Sequence, residues 1–276
     1  MLRKLVVIVL ALVLPAQAWN EEGHILVAQI AWSQLSEPCR EKVTDLLRFH
    51  PDPQIRTLAQ ASVWPDKIRD PSHFLRAHSR PDWHYIDRLF RPPPDEIELR
   101  LGGQIVTQLE KQTKILGHPE RSAAEKAVAL CWVAHLVGDI HQPLHNSELY
   151  DQNFPTGDRG GNLFKVVLGQ ESIPLHVLWD SLGGRFLEAP TSLRLKSYER
   201  WFRDAHPPET FAERLGEVEF QAWSDEGLAL AQEAYVGVRL GEPLGDERLK
   251  WVLDVSERQV VLAGYRLGAV LEMGLR

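Results

Sequence analysis

The sequence predicts an all-α protein with a single domain, and three observations support this prediction. Apolar residues recur at helical spacing through most of the chain, and capping signals mark where several helices begin. No repeat or break in composition divides the 276 residues into two domains. We therefore expect residues 19–276 to form one domain around a substantial core, with long functional loops between the helices.

The first 18 residues have the pattern of a signal peptide. Arg3 and Lys4 precede the apolar run 5–14, and the small residues of a cleavage site follow at 16–18. The apolar run is too short to cross a bilayer comfortably, and a polar segment follows it. Cleavage after residue 18 would make Trp19 the first residue of a secreted or periplasmic protein without a membrane anchor.

In the N-terminal part of the chain, apolar periodicity predicts three helices. Ser36, two residues before Pro38, is a start signal for the second of them. The three predicted helices run from Ile25 to about Leu35, from Ser36 through Val43, Leu46 and Leu47, and from Asp52-Pro53 to Trp64. A proline-rich loop is predicted at 91–95.

The helix that is most clearly marked lies in the middle of the chain. Ser122-Ala-Ala-Glu125 is a capping box before a strongly apolar helix that runs to about Ile140, and Pro143 marks its end or a kink. Residues 150–161 are polar and rich in turn formers, and 163–168 is predicted as the only short strand or hairpin arm. Further helices are predicted at 174–188, 191–204, 220–240 and 246–273.

The charge balance limits the kind of partner. Without residues 1–18, 29 of the 31 lysines and arginines remain against 38 acidic residues, which gives a net charge of −9. Non-specific affinity for nucleic acid normally comes from Lys and Arg, so this balance argues against a basic groove for duplexes. It permits a site in which bound metal cations receive a phosphate.

The two cysteines limit the metal chemistry. Cys39 and Cys131 are the only ones, so a zinc site built from four thiolates is excluded. In an exported protein they can form a disulfide or remain free thiols, and the sequence leaves both alternatives open. Any bound metal must use histidines, carboxylates or the chain terminus.

Histidine and aspartate recur together at helical spacing. His135 and Asp139 are four residues apart, as are His176 and Asp180, so on a continuous helix each pair projects from one face. Both pairs lie among apolar residues, where a carboxylate is costly unless it is paired or binds a metal. One such pair can be a local hydrogen bond. Two pairs, with His145 six residues after Asp139, indicate a zinc site.

Further ligand candidates lie nearer the N-terminus. Asp66 and His84 stand beside aromatic residues. After cleavage, Trp19 would offer a free amine and a carbonyl oxygen that chelate one ion, and an α-amine with a pKa of roughly 8 loses its proton to a metal readily. His24 can complete that site. The structural alternative is a buried Trp19 with His24 nearby by coincidence.

Together these residues resemble the zinc-dependent type I nuclease family of fungal, plant and bacterial phosphodiesterases. The most specific match is the segment from His135 to His145. The other matching segments are Trp19-x4-His24, Trp64-Pro-Asp66, Trp83-His84-Tyr85-Ile86-Asp87, Gly160-Gly161-Asn162, Leu175-His176-x3-Asp180 and Gly264-Tyr265-Arg266-Leu267. The resemblance implies a mainly helical phospholipase C/nuclease-like fold with long loops around a trinuclear zinc cleft.

The resemblance also implies how nine ligand residues share three zinc ions. Asp139 would bridge two of the ions, which makes it the least replaceable ligand. The implied sets are Asp66, His84, His135 and Asp139 for one ion, His145, His176 and Asp180 for the second, and the amine and carbonyl of Trp19 with His24 and Asp139 for the third.

By the same resemblance, the expected activity is hydrolysis of single-stranded RNA and DNA, and of 3′-nucleotides, to 5′-phosphate products. Asp87 would orient the attacking water, and Arg69 would steady Asp87 or touch the phosphate, in addition to Asp139 at the metals. Tyr85 would stack on the base beside the scissile bond, and Asn162 is expected at the substrate. We expect the protein to be a monomer.

The sequence departs from the family in small ways, and two other functions stay open. Asn20 stands where Gly is common, two cysteines cannot reproduce the fungal disulfides, and the chain has no N-glycosylation motif, which fits an exported bacterial member. A zinc-dependent phospholipase C has a similar three-zinc plan, but its last ligand pair ends in Glu and not, as here, in Asp180. The other alternative is an exported zinc-binding protein without catalysis.

Overall fold

A computed structural model describes residues 19–90 and 102–276. The predicted signal peptide at 1–18 and the predicted loop at 91–95 lie outside these residues. The described part is mainly helical, as the sequence predicts. Its helices are α1 (Glu21–Gln34), α2 (Glu37–Leu47), α3 (Leu58–Lys67), α4 (Ile105–Gly117), α5 (Ala123–Ile140), α6 (Leu175–Asp180), α7 (Ser192–Ala205), α8 (Ala212–Leu215), α9 (Phe220–Ala234) and α10 (Asp246–Gly274).

The strands are short and form two separate pairs. β1 (Leu89–Phe90) pairs in parallel with β2 (Glu148–Leu149), and β3 (Lys165–Leu168) forms an antiparallel hairpin with β4 (Glu171–Pro174). The predicted arm at 163–168 is therefore a strand from residue 165 onward. The prediction that it is the only strand is wrong, because backbone pairing with distant segments makes strands of pieces too short to show a pattern.

Helix α5 lies at the centre of the fold. Ser122 accepts the backbone N–H of Glu125, and the Glu125 side chain accepts that of Ser122, so the predicted capping box is confirmed. Every residue from 129 to 140 is buried. A helix that is apolar on all sides has to be enclosed by others, and α5 packs against α1, α3, α4 and α10.

The long C-terminal helix α10 packs closely along α1. A Cβ atom added at Gly264 would lie 2.5 Å from Ile30 Cγ2 and 3.2 Å from the carbonyl oxygen of Val27. The absence of a side chain at Gly264 therefore sets how closely the two helices approach. This contact fixes α1, which carries His24, against the core.

Helix α3 begins later than predicted. It starts at Leu58 and not at residue 52, because Asp52 closes a separate turn by accepting the N–H of Gln54 at 2.9 Å. Thr57 and Gln60 then form the capping box that starts the helix. The helix also continues beyond Trp64 to Lys67, and this extension brings Asp66 onto its last turn.

Helix α4 is absent from the sequence-based prediction. Its apolar residues Ile105, Leu109 and Leu116 are buried at helical spacing, and this periodicity was the available signal. The signal was weakened because the amides of Gln108 and Gln112 share the buried face.

Two predicted helices end early because the backbone enters the left-handed region. After Asp180, the consecutive residues Leu182, Gly183 and Gly184 have φ values of 51°, 69° and 85°, so α6 is short and the prediction of 174–188 is wrong. Helix α9 ends at Ala234, ahead of Gly237 with φ 70°, and not at residue 240. Helix α1 begins at Glu21, four residues before the predicted start at Ile25, because Asn20 supplies its N-cap. The short helix α8 is absent from the prediction, and the remaining helix bounds agree with it within about two residues.

Two further observations concern the state of the cysteines and the possibility of a membrane-spanning helix. Cys39 and Cys131 are both buried free thiols, so the disulfide alternative does not hold. Burial raises the pKa of the Cys131 thiol well above its usual value. Among residues 19–90 and 102–276, no helix is long and apolar enough to span a membrane.

Replacing Gly264 with Ala should destabilise the protein, because the new methyl group would overlap Ile30 unless α1 moves. We expect the free energy of unfolding to fall by about 1–3 kcal/mol, as for other overpacked cores. Urea unfolding followed by circular dichroism measures this change.

The matched control is Gly274→Ala at the end of the same helix, where the nearest atom to an added Cβ is Leu116 Cδ2 at 3.7 Å. This variant should lose no stability. Equal unfolding midpoints for the two variants would show that the close approach at Gly264 is unimportant.

Candidate metal centre

Eight side chains predicted as ligands come from six parts of the chain and meet at the C-terminal half of α5. Several of them lie in or directly after short turns, so the segments that connect the helices contribute ligands as well as the helices themselves. The positions are His24 on α1, Asp66 on α3, His84 after the turn Pro81–Trp83, His135 and Asp139 on α5, His145 in the turn Pro143–Asn146, and His176 and Asp180 on α6.

The carboxylate of Asp139 is the centre of the first group. Asp139 is 0% exposed. Its Oδ2 lies 3.0 Å from His84 Nδ1 and 3.2 Å from His135 Nε2, and its Oδ1 lies 3.2 Å from His24 Nε2. One buried carboxylate thus faces three imidazole rings with both of its oxygens, as a bridging ligand would.

Asp66 adds a second carboxylate to this group. Its Oδ1 is 3.9 Å from both His84 Nδ1 and His135 Nε2. The guanidinium of Arg69, three residues later, lies 3.2 Å from the same oxygen. Arg69 therefore contacts a predicted ligand, whereas the sequence had suggested Asp87 or the phosphate as its partner.

The second group lies beside the first. His145 Nε2 is 3.2 Å from His176 Nε2, which in turn is 3.4 Å from Asp180 Oδ2. Gln142 donates to the other oxygen of Asp180 at 2.7 Å. In the described part of the chain, the ligand atoms form three sets, and within each set all the atoms lie within 4.8 Å of one another. They are His24, Asp66 and His135; His84, His135 and Asp139; and His145, His176 and Asp180.

Main-chain carbonyls fix the protonation of three of the rings. The Nδ1 atoms of His135, His145 and His176 lie 2.7, 2.7 and 2.6 Å from the carbonyl oxygens of Ser62, His84 and Gly160. A carbonyl oxygen only accepts, so each neutral ring carries its proton on Nδ1 and a lone pair on Nε2. Ligand histidines in metal sites are oriented in this way.

These donor atoms fit a cation. The lone pairs of His145 Nε2 and His176 Nε2 face each other across 3.2 Å, which is repulsive unless a positive charge lies between them. Asp139 Oδ1 and both ring nitrogens of His24 are buried, and the 3.2 Å contact between Oδ1 and Nε2 does not have the geometry of a hydrogen bond, so these atoms have no hydrogen-bond partner among the described residues. Buried polar atoms without partners are costly, and coordination of a metal satisfies them.

The electrostatics of the two groups differ. Burial alone would raise the pKa of Asp139, but its histidine neighbours outweigh burial and hold that pKa well below its usual range. Burial raises the pKa of Asp180 well above its usual value, and the charges of Asp139 and Asp66 add to this rise. Burial also lowers the pKa of His145 to about 3, so its ring stays neutral. A cation beside Asp180 would favour its ionised form.

Trp19 and Asn20 attach the start of the described chain to both groups. Trp19 is fully buried, and its Nε1 donates to the carbonyl of Gly138 at 2.9 Å. The N–H of Asn20 donates to the carbonyl of Asp180 at 3.0 Å, and its side chain caps α1 by accepting from Gly23. The departure from Gly at position 20 therefore supplies an N-cap.

The predicted substrate residues lie on neighbouring loops. The N–H of Gly102 donates to Asp87 Oδ2 at 2.7 Å, and a Cβ on Gly102 would be 3.3 Å from the Tyr85 hydroxyl. Burial raises the pKa of Asp87. Asn162 stands in a separate turn, where its amide donates to the carbonyl of Arg159 at 2.8 Å.

Sequence reasoning missed Glu148, which holds the loop behind His176. Its two carboxylate oxygens accept the N–H groups of Arg159 and Gly160, each at 3.0 Å, and the carbonyl of Gly160 accepts from His176. Burial, with the nearby charge of Asp87, raises the pKa of Glu148 to about 7 against the lowering effect of the two N–H donors. No spacing pattern marks this residue.

Sequence reasoning also missed a buried network around Arg266. Its guanidinium donates to Glu226 at 2.8 Å and to His141 Nε2 at 3.0 Å, and Gln259 donates to the carbonyl of His141. The network joins α9 and α10 to the residue that ends α5, two positions after Asp139. It thereby fixes the end of the helix that carries the central carboxylate.

A mainly helical domain with a buried set of histidines and aspartates that fits a cation defines a metal-dependent protein. Comparison with known proteins gives the particular family. The family model described as S1/P1 Nuclease matches residues 19–276. This chain belongs to the S1/P1 nuclease family, and it is a hydrolase that cleaves phosphodiester bonds of nucleic acids as an endonuclease.

Individual relatives agree with this assignment. Endonuclease 2 of Arabidopsis thaliana is 26% identical over 274 residues, which cover 92% of this chain and 89% of that protein. Nuclease S1 of Aspergillus oryzae is 30% identical over 179 residues, 62% of this chain and 56% of that protein. Nuclease P1 of Penicillium citrinum is 25% identical over 168 residues, 59% of this chain and 57% of that protein. The nuclease prediction is confirmed over the phospholipase and zinc-storage alternatives.

Replacing Gln142 with Leu should weaken metal binding, because Asp180 Oδ1 would lose its hydrogen bond and its orientation. We expect the affinity for a divalent metal to fall about 10–100-fold, as for other outer hydrogen-bond partners of metal ligands. Competition with a chromogenic chelator measures this affinity.

A second amide–carboxylate pair offers the matched control. On the surface of α9, Gln221 Nε2 donates to Asp225 at 3.0 Å, and Gln221→Leu should leave metal affinity unchanged. If Gln142→Leu binds metal as tightly as the Gln221 variant, Gln142 has no role in orienting Asp180.

Proposed function

We propose that the protein is an exported, zinc-dependent nuclease and 3′-nucleotidase that cleaves single-stranded RNA and DNA to 5′-phosphate products. The observation that carries the proposal is the contact of His24, His84 and His135 with the two oxygens of Asp139. Beside this group, the second set centred on His176 offers a further place for a cation. The proposed mature chain begins at Trp19.

Three zinc ions and nine ligand residues form the proposed cofactor set. Zinc suits the site because its donors are imidazoles and carboxylates, without thiolates. Asp66, His84, His135 and Asp139 would hold one ion, His145, His176 and Asp180 a second, and Trp19, His24 and Asp139 the third. Bound zinc would supply Lewis acidity and a nucleophile at neutral pH.

The side chains around the cluster would position the reactants. Oδ2 of Asp87 is fixed by the N–H of Gly102, and among the described residues no donor reaches Oδ1, which can therefore accept a proton from an attacking water. Arg69 neutralises Asp66 and would also stabilise the negative charge of a phosphate nearby. The Asn162 amide in the adjacent turn would contact the substrate.

Tyr85 supports the preference for single strands. Its ring is half-buried beside Asp87, next to the predicted ligand His84. A base that stacks on this ring must first leave a helical stack, so a duplex presents no suitable base. Such stacking contributes about 1–3 kcal/mol per base and tolerates any sequence. A 3′-nucleotide offers the same arrangement of one base and one phosphate.

Removal of metal tests the central proposal. Chelation should abolish hydrolysis of single-stranded RNA, and added zinc should restore it. Asp139→Asn should reduce the zinc content and lower kcat/KM by more than about 100-fold, since a ligand matters more than its outer partners. Metal analysis and an RNA assay measure these effects, with circular dichroism to verify folding.

Asp45→Asn on the exposed face of α2 is the control and should behave as the wild type. Full activity of Asp139→Asn at unchanged zinc content would refute the bridging role. Hydrolysis of phosphatidylcholine without hydrolysis of RNA would refute the nuclease substrate.

The chain terminus is tested by two versions of the protein that differ only in what precedes residue 19. A chain that begins at Trp19 should bind its full zinc complement, whereas one with two extra residues ahead of Trp19 should lose about one zinc, because a peptide nitrogen is a far weaker ligand than an amine. Metal analysis and RNA hydrolysis measure the difference.

The control is the same two-residue extension after Arg276, which should change neither value. Equal zinc content and activity for all three chains would show that the amine of Trp19 is not a ligand.

A further inference from the structure

A cavity of about 650 Å³ lies between α1, α2, the start of α3 and α7. Its volume is in the range of sites for small molecules, which span roughly 300–1,000 Å³. None of the nine predicted metal ligands lines it. The cavity is thus a separate site, although α1 and α3 contribute residues to both. Asp66 is eight residues along α3 from Leu58, which corresponds to about 12 Å of helix.

The floor and the mouth of the cavity differ in character. The apolar lining residues Trp32, Val43 and Leu47 are buried or half-buried and form the floor. The four basic lining residues are exposed or half-buried and define the mouth, namely Arg56, Lys196, Arg200 and Arg203. A ligand that fills it must therefore combine an apolar or aromatic body with a polar end.

The mouth carries uncompensated positive charge. Glu199 is the only acidic residue that lines the cavity, and it pairs with Arg203 at 2.6 Å. Arg56 donates from Nη1 to the main-chain carbonyls of Leu47 and Ile55. Within residues 19–90 and 102–276, no carboxylate forms an ion pair with Arg56, Lys196 or Arg200. In a chain of net charge −7, this concentration of cations favours an anion.

The backbone at the mouth favours the same charge. Thr57, Leu58 and Ala59 at the start of α3 line the cavity beside Arg56. The Thr57 side chain accepts the N–H of Gln60, and the N–H groups of the first helical turn point out of the N-terminal end. Such an end carries a partial positive charge that adds to the attraction of the three side chains.

The wall of the cavity presents an aromatic ring and an amide. Trp32 and Gln29, one turn apart on α1, are both half-buried and both line the cavity. A planar ring with a polar edge could stack on Trp32 and hydrogen-bond to the amide of Gln29. A fatty acid would suit the apolar residues and the cations but would offer no hydrogen bond to this amide.

We propose that this cavity binds a nucleoside monophosphate, with its base against Trp32 and Gln29 and its phosphate at Arg56, Lys196 and Arg200. The choice of a nucleotide among aromatic anions rests on the proposed function, because a nuclease that leaves 5′-phosphates releases such molecules in quantity. The cavity would hold a product away from the metal centre.

Equilibrium dialysis of the zinc-loaded protein with AMP tests the proposal. The wild type should bind two equivalents, one at the metal centre and one in the cavity. The double variant Lys196→Glu with Arg200→Glu should keep one equivalent and lose the other at least tenfold in affinity, as expected for lost charge-assisted hydrogen bonds. Its hydrolysis of single-stranded RNA should stay within about twofold of the wild type.

Lys111→Glu with Lys114→Glu is the matched control, because it makes the same charge change on the exposed face of α4, outside the cavity. It should retain both equivalents. A second variant, Gln29→Leu, should weaken cavity binding of AMP while binding of ribose 5-phosphate there stays unchanged, since only the base reaches Gln29.

Three results would overturn the proposal. They are a single AMP equivalent in the wild type, two equivalents at wild-type affinity in the Lys196/Arg200 variant, and a cavity that binds dodecanoate but not AMP. The two proposals fail separately. RNA cleavage with one AMP equivalent would refute only the cavity site, and two equivalents without RNA cleavage would refute only the nuclease mechanism.

Discussion

The buried carboxylate of Asp139 is the constraint on which the rest of the structure depends. An isolated charge inside a protein costs many kcal/mol, and it persists only with close partners of opposite character. Here His24, His84 and His135 surround it, and they come from three segments separated by up to 111 positions in the sequence. The chain must therefore bring α1 and the loop before residue 84 against α5. A cation bound beside Asp139 would further stabilise the buried negative charge.

The surroundings of the ligands show how loops become rigid enough to hold a metal. Carbonyls of Ser62, His84 and Gly160 set the orientation of three rings, so the backbone of α3 and of two loops acts as a second layer around the site. Glu148 fixes one of these loops through the N–H groups of Arg159 and Gly160. The buried Arg266, paired with the half-buried Glu226, similarly holds the end of α5 through its hydrogen bond to His141.

The chain is acidic overall, yet it would bind anions at two sites by different means. At the metal centre, phosphate affinity would come from bound cations and from Arg69, so the protein needs no broad basic groove. At the proposed nucleotide cavity, it would come from Arg56, Lys196 and Arg200, which have no acidic partners in the described ion pairs. Because α1 and α3 line one site and carry ligands of the other, the helical bundle fixes the distance between them.

The sequence by itself determined the helical class, the start of α5 and the identity of the candidate ligands, because periodicity, capping boxes and pairs such as His135 and Asp139 are local patterns. Only the tertiary structure decided where α6 ends, that the amide of Gln108 lies on the buried face of α4, and that Gln142 and Glu148 support the site. Those features depend on backbone directions and on partners distant in sequence. Spacing along the chain does not encode such contacts, and the same reason hid the cavity between four helices.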